Sequence, residues 1–360
     1  MARIIALVGG GTMGPTAPLL ALYKKLHERN PKDTFVWAGT PDGPERQPVE
    51  DLLIPFVSIP VAKFPRYFSK TLFTWPFDYL RAQHAAQEFI DHWKPDVVIG
   101  AGGFTQVPII RYASKKGIPC LIHQLDFVPS LSNLTVAKRC KLITTTFIFH
   151  YKKFNVKTDE IPIATPNRFA NMRLPEKSSA AEYFGLQASR PIVLVVGGGT
   201  GSRTLNKVME DCLDHWLEKT QVIHITGKNR GGDIKLRPGY VRCEFMNQQD
   251  IFMAYAAADV VVSRGGMGAV TDLATMSKPS ILVPMPHSHQ EKNTRHLGLS
   301  IVEIKEGSNF NQDLYRATIK LLRNPEERHR LSRELHQLIK TDDGSQWATL
   351  VERFLPEEID

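Results

Sequence analysis

Twice along the chain a short β-branched run ends in a glycine cluster that leads into a helical pattern. Ile4–Val8 precedes Gly9-Gly10-Gly11-Thr12-Met13-Gly14, and Ile192–Val196 precedes Gly197-Gly198-Gly199-Thr200-Gly201-Ser202. Each opening is followed by further runs of the same kind. The first half has Thr34–Trp37, Val97–Ile99, Cys120–Ile122 and Leu142–Thr145; the second has Val222–Ile225, Val241–Phe245, Val260–Ser263 and Ser280–Val283. Continuous Val/Ile/Leu runs alternating with helices indicate parallel strands covered on both faces. The fold expected is α/β, with two doubly wound Rossmann-like domains facing across a cleft. At 360 residues the chain also exceeds the ~250–300 that one core supports. Pro166, Pro175 and Pro191 flank a polar stretch and set the boundary near Thr165. Residues 1–165 form one domain and 166–342 the other, with a C-terminal helix, about 343–360, expected to pack back on the first.

The net charge is +8, and its distribution is uneven. Arg111 to Lys157 holds nine basic residues and one acid, Asp126, so this stretch carries the whole excess. That pattern suits either a solvated basic face or an anionic surface or ligand beside it. Between Lys63 and Leu80, aromatic residues such as Phe64, Tyr67, Phe73, Trp75 and Phe77 interleave with Lys63, Arg66 and Lys70. Such a stretch suits core packing or an anionic membrane surface. No RNP-type or helix-turn-helix pattern accompanies it, so no nucleic acid is expected. No apolar run approaches the ~20 residues needed to span a bilayer. The four cysteines have neither CxxC nor metal spacing, as expected of reduced thiols in a cytosolic protein.

Ligands of doubly wound sheets bind at the carboxyl ends of the strands, where the glycine loops fall. Gly9, Gly11 and Gly14 fit the G-x-G-x-x-G dinucleotide fingerprint. The acid that would hold ribose at the end of the second strand is missing from Val36-Trp37-Ala38-Gly39-Thr40. The loops also suit tight turns, or the two sides of a diphosphate, which a helix N-terminus attracts. A third loop, Gly100 to Thr105, follows Val97–Ile99. The densest cluster runs from Ala258 to Asn293: a strand, Arg264-Gly265-Gly266-Met267-Gly268, then a helix with Thr271 and Asp272 in its first turns. A carboxylate there suits two ribose hydroxyls, or simply the helix dipole. Gln290 and Asn293 suit hydroxyl recognition. His287 and His289 form a possible metal pair without accompanying ligands. No Asp-x-Asp clamp is present, so a diphosphate leaving group is expected to be stabilised by helix N-termini and Arg side chains, with no metal or other cofactor.

Quoted in order, GGTMG (Gly10–Gly14), AGTPDGPE (Ala38–Glu45), KPDVVIGAGGF (Lys94–Phe104), GIPCLIHQ (Gly117–Gln124), ATPNR (Ala164–Arg168), VLVVGGGTGSRTLN (Val193–Asn206), ADVVVSRGGMGAVTDLA (Ala258–Ala274) and HQEKN (His289–Asn293) resemble the MurG family. That family comprises N-acetylglucosaminyltransferases of glycosyltransferase family 28, which convert lipid I to lipid II in peptidoglycan synthesis. The resemblance implies the two-domain GT-B fold and UDP-N-acetylglucosamine as donor. It implies an undecaprenyl-diphosphate-linked muramoyl-peptide acceptor and a peripheral position on the cytoplasmic face of the inner membrane.

It also assigns residues. Asp272 stands where the family has a glutamate on the ribose, and Met246 where an aliphatic residue packs on uracil. Met267, Gly268, Ala269, Val270 and Thr271 match the loop around the diphosphate. Gly199 replaces a phosphate-contacting serine, with Thr200 beside it. Arg168 matches a donor-site arginine, and His289 and Gln290 match the pair that reads the sugar. Thr12, Met13, Gly14 and Asp126 are expected donor contacts from the first domain. Gly10, Gly11, Gly102, Gly103, Phe104 and Thr105 are expected on the acceptor side. In the family's first loop, GGTGGH, Met13 here replaces a glycine and Pro15 the histidine. The family's HEQN reads His123-Gln124-Leu125-Asp126, so a carboxylate has moved by two positions. Asp126, and after it His123, are the candidate bases for the attacking hydroxyl. A related transferase with another lipid acceptor, a UDP-N-acetylglucosamine 2-epimerase and a nucleotide-dependent oxidoreductase are the alternatives.

Overall fold

The computed structural model describes residues 3–60, 71–148, 154, 156–199, 201–230 and 237–357, with 71–75 described by backbone alone. The chain divides into two compact units, Met1–Arg168 with Asp342–Asp360, and Phe169–Thr341.

The first unit is built on β1 (Ile4–Val8), β2 (Thr34–Gly39), β3 (Phe56–Ser58), β4 (Val97–Gly100), β5 (Cys120–Gln124), β6 (Leu142–Thr145) and β7 (Asp159–Pro162). Their order in the sheet is β3-β2-β1-β4-β5-β6-β7, all parallel. Successive side chains of a strand point to opposite faces. Ile5, Leu7, Trp37, Ile99 and Leu121 therefore enter one core cluster, and Ala6, Val8, Val36, Val98 and Ile122 the other. Helices α1 (Met13–Arg29), α2 (Arg46–Glu50), α3 (Thr71–Trp93), α4 (Gln106–Lys115) and α5 (Leu131–Val136) connect the strands. Helix α1 begins at Met13, so Pro15 lies in its first turn and Pro18 inside the helix.

A two-residue strand, β8 (Thr165–Pro166), precedes the second unit. That unit contains β9 (Ile192–Val196), β10 (Gln221–Ile225), β11 (Tyr240–Cys243), β12 (Val260–Ser263), β13 (Ser280–Leu282) and β14 (Val302–Glu303). Their order is β11-β10-β9-β12-β13-β14, again parallel. Its helices are α6 (Lys177–Tyr183), α7 (Arg203–Leu217), α8 (Gln248–Ala257), α9 (Met267–Thr275), α10 (His289–Leu297), α11 (Phe310–Leu322) and α12 (Pro325–Leu338). After β15 (Thr341–Asp342), which pairs with β8, helix α13 (Ser345–Glu352) ends the described fold. Trp347, Ala348 and Val351 of α13, with Leu355, join the first unit's core beside Leu19, Leu22 and Leu26 of α1.

Two buried histidines give the fold an acid-sensitive component. His123 sits fully buried on β5, and burial pushes it down to about 3. His224 on β10 lies between the Tyr240 hydroxyl (2.8 Å from Nδ1) and Asn206 Oδ1 (3.1 Å from Nε2). Burial, with Arg242 adding to it, pushes His224 down to about 4. Both are neutral in the folded protein, whereas unfolded histidine takes a proton near pH 6.5. Their contribution to stability is thus present above pH 6.5 and lost as pH falls toward 4. Each is expected to cost about 1.4 kcal/mol per pH unit in that window. Thermal unfolding between pH 7 and 4.5 checks this; His224→Gln should flatten the slope, and a midpoint unchanged down to pH 5 would exclude it.

Candidate functional site

In each sheet the strand order reverses once, between β1 and β4 in the first unit and between β9 and β12 in the second. Such reversals open the crevice in which doubly wound proteins bind ligands. All four glycine loops follow these four strands. The pattern that is repetitive in sequence thus becomes two loop pairs at two switch points.

In the first unit the pair is in direct contact. Gly103 has φ +87°, and a β-carbon there would lie 2.9 Å from the Gly10 carbonyl oxygen. Gly10 and Gly103 therefore form one continuous backbone surface, leaving no gap for a ligand between them at this point. Gly102 (φ +106°) faces Pro15 and Ser130, with a β-carbon position 3.7 Å from Pro15 Cγ and 4.0 Å from Ser130 Oγ. Thr12 and Gly11 are exposed, and Met13, Gly14, Gly103 and Phe104 half-buried. Thr105, immediately before α4, is buried, and its hydroxyl has no partner among the described residues.

The sequence reading missed the residue that shapes the first loop. Glu45 is fully buried, and its carboxylate accepts the N–H of Gly11 (3.1 Å), the N–H of Thr40 (2.7 Å) and the Thr40 hydroxyl (2.6 Å). The Gly11 N–H expected for an incoming ligand is already used, and by an internal anion. A pyrophosphate at this loop, whether a dinucleotide's or a lipid acceptor's, would find the Gly11 N–H already taken, so the loop does not hold one through that group.

The loop after β5 separates the two candidate bases. His123 has no exposed surface; its Nδ1 lies 3.0 Å from Thr144 Oγ1, and its ring packs against Trp347 at 5.0 Å. It is part of the interior, which corrects its assignment as a base: no substrate hydroxyl reaches it. Asp126 is half-buried at the start of the following turn. Gln124, buried, holds that turn by donating from Nε2 to the backbone carbonyls of Asp126 (2.7 Å) and Val128 (3.0 Å).

In the second unit the two loops differ in how their helices begin. Helix α7 is capped internally, since Ser202 Oγ accepts the N–H of Leu205 at 3.3 Å. Gly201 (φ +73°) presses against the Thr226 carbonyl, so a side chain there would collide. Gly199 is exposed, and Thr200 lies outside the described residues. Helix α9 starts from Gly266, which has no side chain to cap it. Its first turn therefore presents positive potential with no side-chain acceptor on the cap residue, while the Gly266 carbonyl takes the Ala269 N–H at 3.1 Å. Met267 and Val270 are buried, and Gly268 and Ala269 half-buried. Thr271 donates its hydroxyl to the Gly268 carbonyl (3.0 Å), and Asp272 follows, 6% exposed.

Helix α10 brings its N-terminus to the same place. Ser288 caps it through the Gln290 N–H (3.2 Å), and Gln290 Oε1 accepts the N–H of Met285 (3.0 Å). That orients Gln290 Nε2 to within 3.8 Å of where a β-carbon of Gly266 would stand. His289 is exposed at the helix start. Asn293, expected to read hydroxyls, is fully buried and donates to the Gly265 carbonyl at 3.2 Å; it shapes the loop from behind. Arg264 pairs with Glu306 (2.6 Å) and donates to the Val283 carbonyl, while Glu306 also accepts from Thr204 on α7. This pair ties the ends of β12 and β13 to α7, and local sequence offered no signal for it. Met246 is 7% exposed just before the α8 cap Asn247, and Arg168 ends the first unit near Lys24, which burial and then that guanidinium hold below the usual lysine range. Among the described residues, no group of three or more His, Cys, Asp or Glu is placed to hold a metal, and no helix is long and apolar enough to cross a membrane. Lys63 to Lys70 lie outside the described residues, while Phe77 and Leu80 stand on the surface at 67% and 60% exposure.

Residues 5–145 match the glycosyltransferase family 28 N-terminal domain, and residues 192–338 its C-terminal domain. A protein of Lachnoclostridium phytofermentans named UDP-N-acetylglucosamine–N-acetylmuramyl-(pentapeptide) pyrophosphoryl-undecaprenol N-acetylglucosamine transferase is 32% identical over 329 residues, 88% of this chain and 90% of its own. A Nocardioides protein of the same name is 34% identical over 301 residues, 81% of each chain. The crystal structure of Acinetobacter baumannii MurG superposes with a TM-score of 0.67 at 21% identity, covering 98% of this chain and all of that one (100%). A putative UDP-N-acetylglucosamine 2-epimerase from Listeria monocytogenes also shares the fold, with a TM-score of 0.65 at 13% identity over 98% of this chain and 95% of that one.

Proposed function

The chain belongs to glycosyltransferase family 28 and has its GT-B fold, and on that premise we propose that it moves N-acetylglucosamine from UDP-N-acetylglucosamine to an undecaprenyl-diphosphate-linked muramoyl peptide, lipid I to lipid II. The observation that carries the donor reading is the α9 start: an uncapped helix N-terminus with Asp272 one turn further on and the Gln290 amide beside it. The diphosphate sits at that N-terminus, with Met267 to Thr271 around it, and Asp272 accepts the ribose hydroxyls. Met246 borders the uracil, and His289 and Gln290 address the sugar. Arg168 supplies positive charge.

The acceptor hydroxyl attacks the anomeric carbon from the face opposite UDP, in one displacement that inverts the linkage to β. Asp126 takes the hydroxyl proton as the new bond forms. Negative charge grows on the departing diphosphate, and the helix dipole and N–H groups of α9 stabilise it, so the step needs no metal. The enzyme works at an anionic membrane surface on the cytoplasmic side, which the basic stretch Arg111–Lys157 favours.

Thermal shift with UDP, UDP-N-acetylglucosamine and NADH tests the donor. Stabilisation by the two uridine ligands is expected, and stabilisation by NADH alone would overturn the reading. Transfer of labelled N-acetylglucosamine to lipid I tests the acceptor, and the rate should be the same in EDTA as in Mg²⁺. No transfer to lipid I, with transfer to another lipid diphosphate, would move the assignment to a related acceptor; Pro15 beside Gly102 is where such a difference would arise. Asp272→Ala should raise KM for the donor about 10- to 100-fold, the worth of a charge-assisted hydrogen bond, with kcat little changed. A KM equal to wild type would remove Asp272 from the ribose.

A further inference from the structure

Three buried amides run in series behind the first unit's loops. Gln106, Asn133 and Gln124 are each no more than 1% exposed. The Gly102 N–H donates to Gln106 Oε1 (2.9 Å), and Gln106 Nε2 donates to Asn133 Oδ1 (2.6 Å). Asn133 Nδ2 donates to Gln124 Oε1 (2.7 Å) and to the His123 carbonyl (3.1 Å). Gln124 Nε2 then donates to the carbonyls of Asp126 and Val128, while its Oε1 also accepts the Ser130 N–H at 3.2 Å.

Both ends fix the direction of this series. A backbone N–H at Gly102 demands an acceptor from Gln106, and two backbone carbonyls after β5 demand donors from Gln124. Reversing any one amide would set oxygen against oxygen or N–H against N–H. Aligned amides also polarise one another in a buried setting. The series joins two loops whose neighbouring residues are expected at the acceptor, the Gly102–Thr105 loop and the turn that carries Asp126.

We propose that Gln106, Asn133 and Gln124 are positioning residues that lock the Asp126 turn in register with the Gly102 loop. This inference rests on Asp126 acting as the base. None of the three touches substrate; each acts through the backbone at Asp126. Neutral amides are required at all three positions, because a carboxylate has no N–H to pass along.

Asn133→Asp is the test. It keeps the acceptor for Gln106 but turns an oxygen toward the Gln124 and His123 oxygens. The expected result is a kcat lower by about 10²-fold, the scale of a 1 Å misplacement, with KM for UDP-N-acetylglucosamine unchanged. Gln106→Glu keeps the acceptor for Gly102 and removes only the donor to Asn133; it should lose kcat in the same way but less. It serves as the readout should Asn133→Asp fail to fold by thermal unfolding. Combining either variant with Asp126→Asn should give no further loss beyond Asp126→Asn alone, because coupled groups are not additive. Normal kcat in the relay variants with a slow Asp126→Asn would overturn the relay and leave the base in place. A normal Asp126→Asn would remove the base, and with it this account of the relay. Fully additive losses would show that the amides act elsewhere and would also overturn it.

Discussion

Asp126→Asn is expected to lower kcat by about 10²–10⁴-fold, the range in which a positioned base contributes, while KM for UDP-N-acetylglucosamine stays as in wild type. The substitution is nearly isosteric, and Gln124 holds the turn through the Asp126 backbone carbonyl, which the substitution leaves in place. The split between kcat and KM follows because asparagine keeps the size and one hydrogen-bonding oxygen at position 126, so a donor contact there persists while the proton acceptor is lost. An amide cannot accept the hydroxyl proton, so the nucleophile must lose it to water. Single-turnover measurement with saturating donor and lipid acceptor isolates the chemical step. A kcat near wild type would mean that transfer relies on alignment and leaving-group stabilisation alone.

Glu45→Ala is expected to lower the stability of the first unit by about 3–5 kcal/mol, the cost of stranding buried partners of a charged group. Three donors depend on this carboxylate: the N–H groups of Gly11 and Thr40 and the Thr40 hydroxyl. The site is also too crowded to rearrange, since a β-carbon on Gly10 or Gly43 would overlap the Glu45 oxygens. In thermal unfolding the loss corresponds to a midpoint lower by about 10 °C, at ~2–4 °C per kcal/mol for a unit of this size. Glu45→Gln should recover part of it, because its carbonyl oxygen still accepts from Thr40. An alanine variant as stable as wild type would show that water replaces the carboxylate at the loop.

What could be read from the sequence follows the range of the interactions involved. The ten β-branched runs are strands because successive apolar β-branched residues announce a strand within a few positions. Phe56–Ser58 and Asp159–Pro162 carry a weaker signal as edge strands: one is only half-buried and ends in an exposed serine, and the other is half acidic and ends in proline. The glycine loops were legible for the same local reason. Glu45 was not, because in sequence it is an acid after Pro-Asp-Gly-Pro, and only folding carries it beneath a loop 34 residues away. Gln106 and Asn133 lie 27 residues apart and look like ordinary polar positions on short helices. His123 failed in the opposite direction. A histidine at the end of a strand suggests chemistry, but Trp347, far along the chain, covers it. The Arg264–Glu306 pair spans 42 residues and was equally silent.

The place of α13 has a consequence for how the chain is made. Its Trp347, Ala348 and Val351 complete a core begun by Ile5 and Leu7, so residues 169–341 are an insertion within the first unit. The early strands leave the ribosome roughly fifteen to seventy seconds before their last helix, at ~5–20 residues per second. During that interval Leu19, Leu22 and Leu26 lack their partners on α13, while the inserted unit already has every strand it needs. The first unit's core is thereby completed only after the whole second unit has been made, and until then the apolar face of α1 is left to be shielded by something other than its own partner.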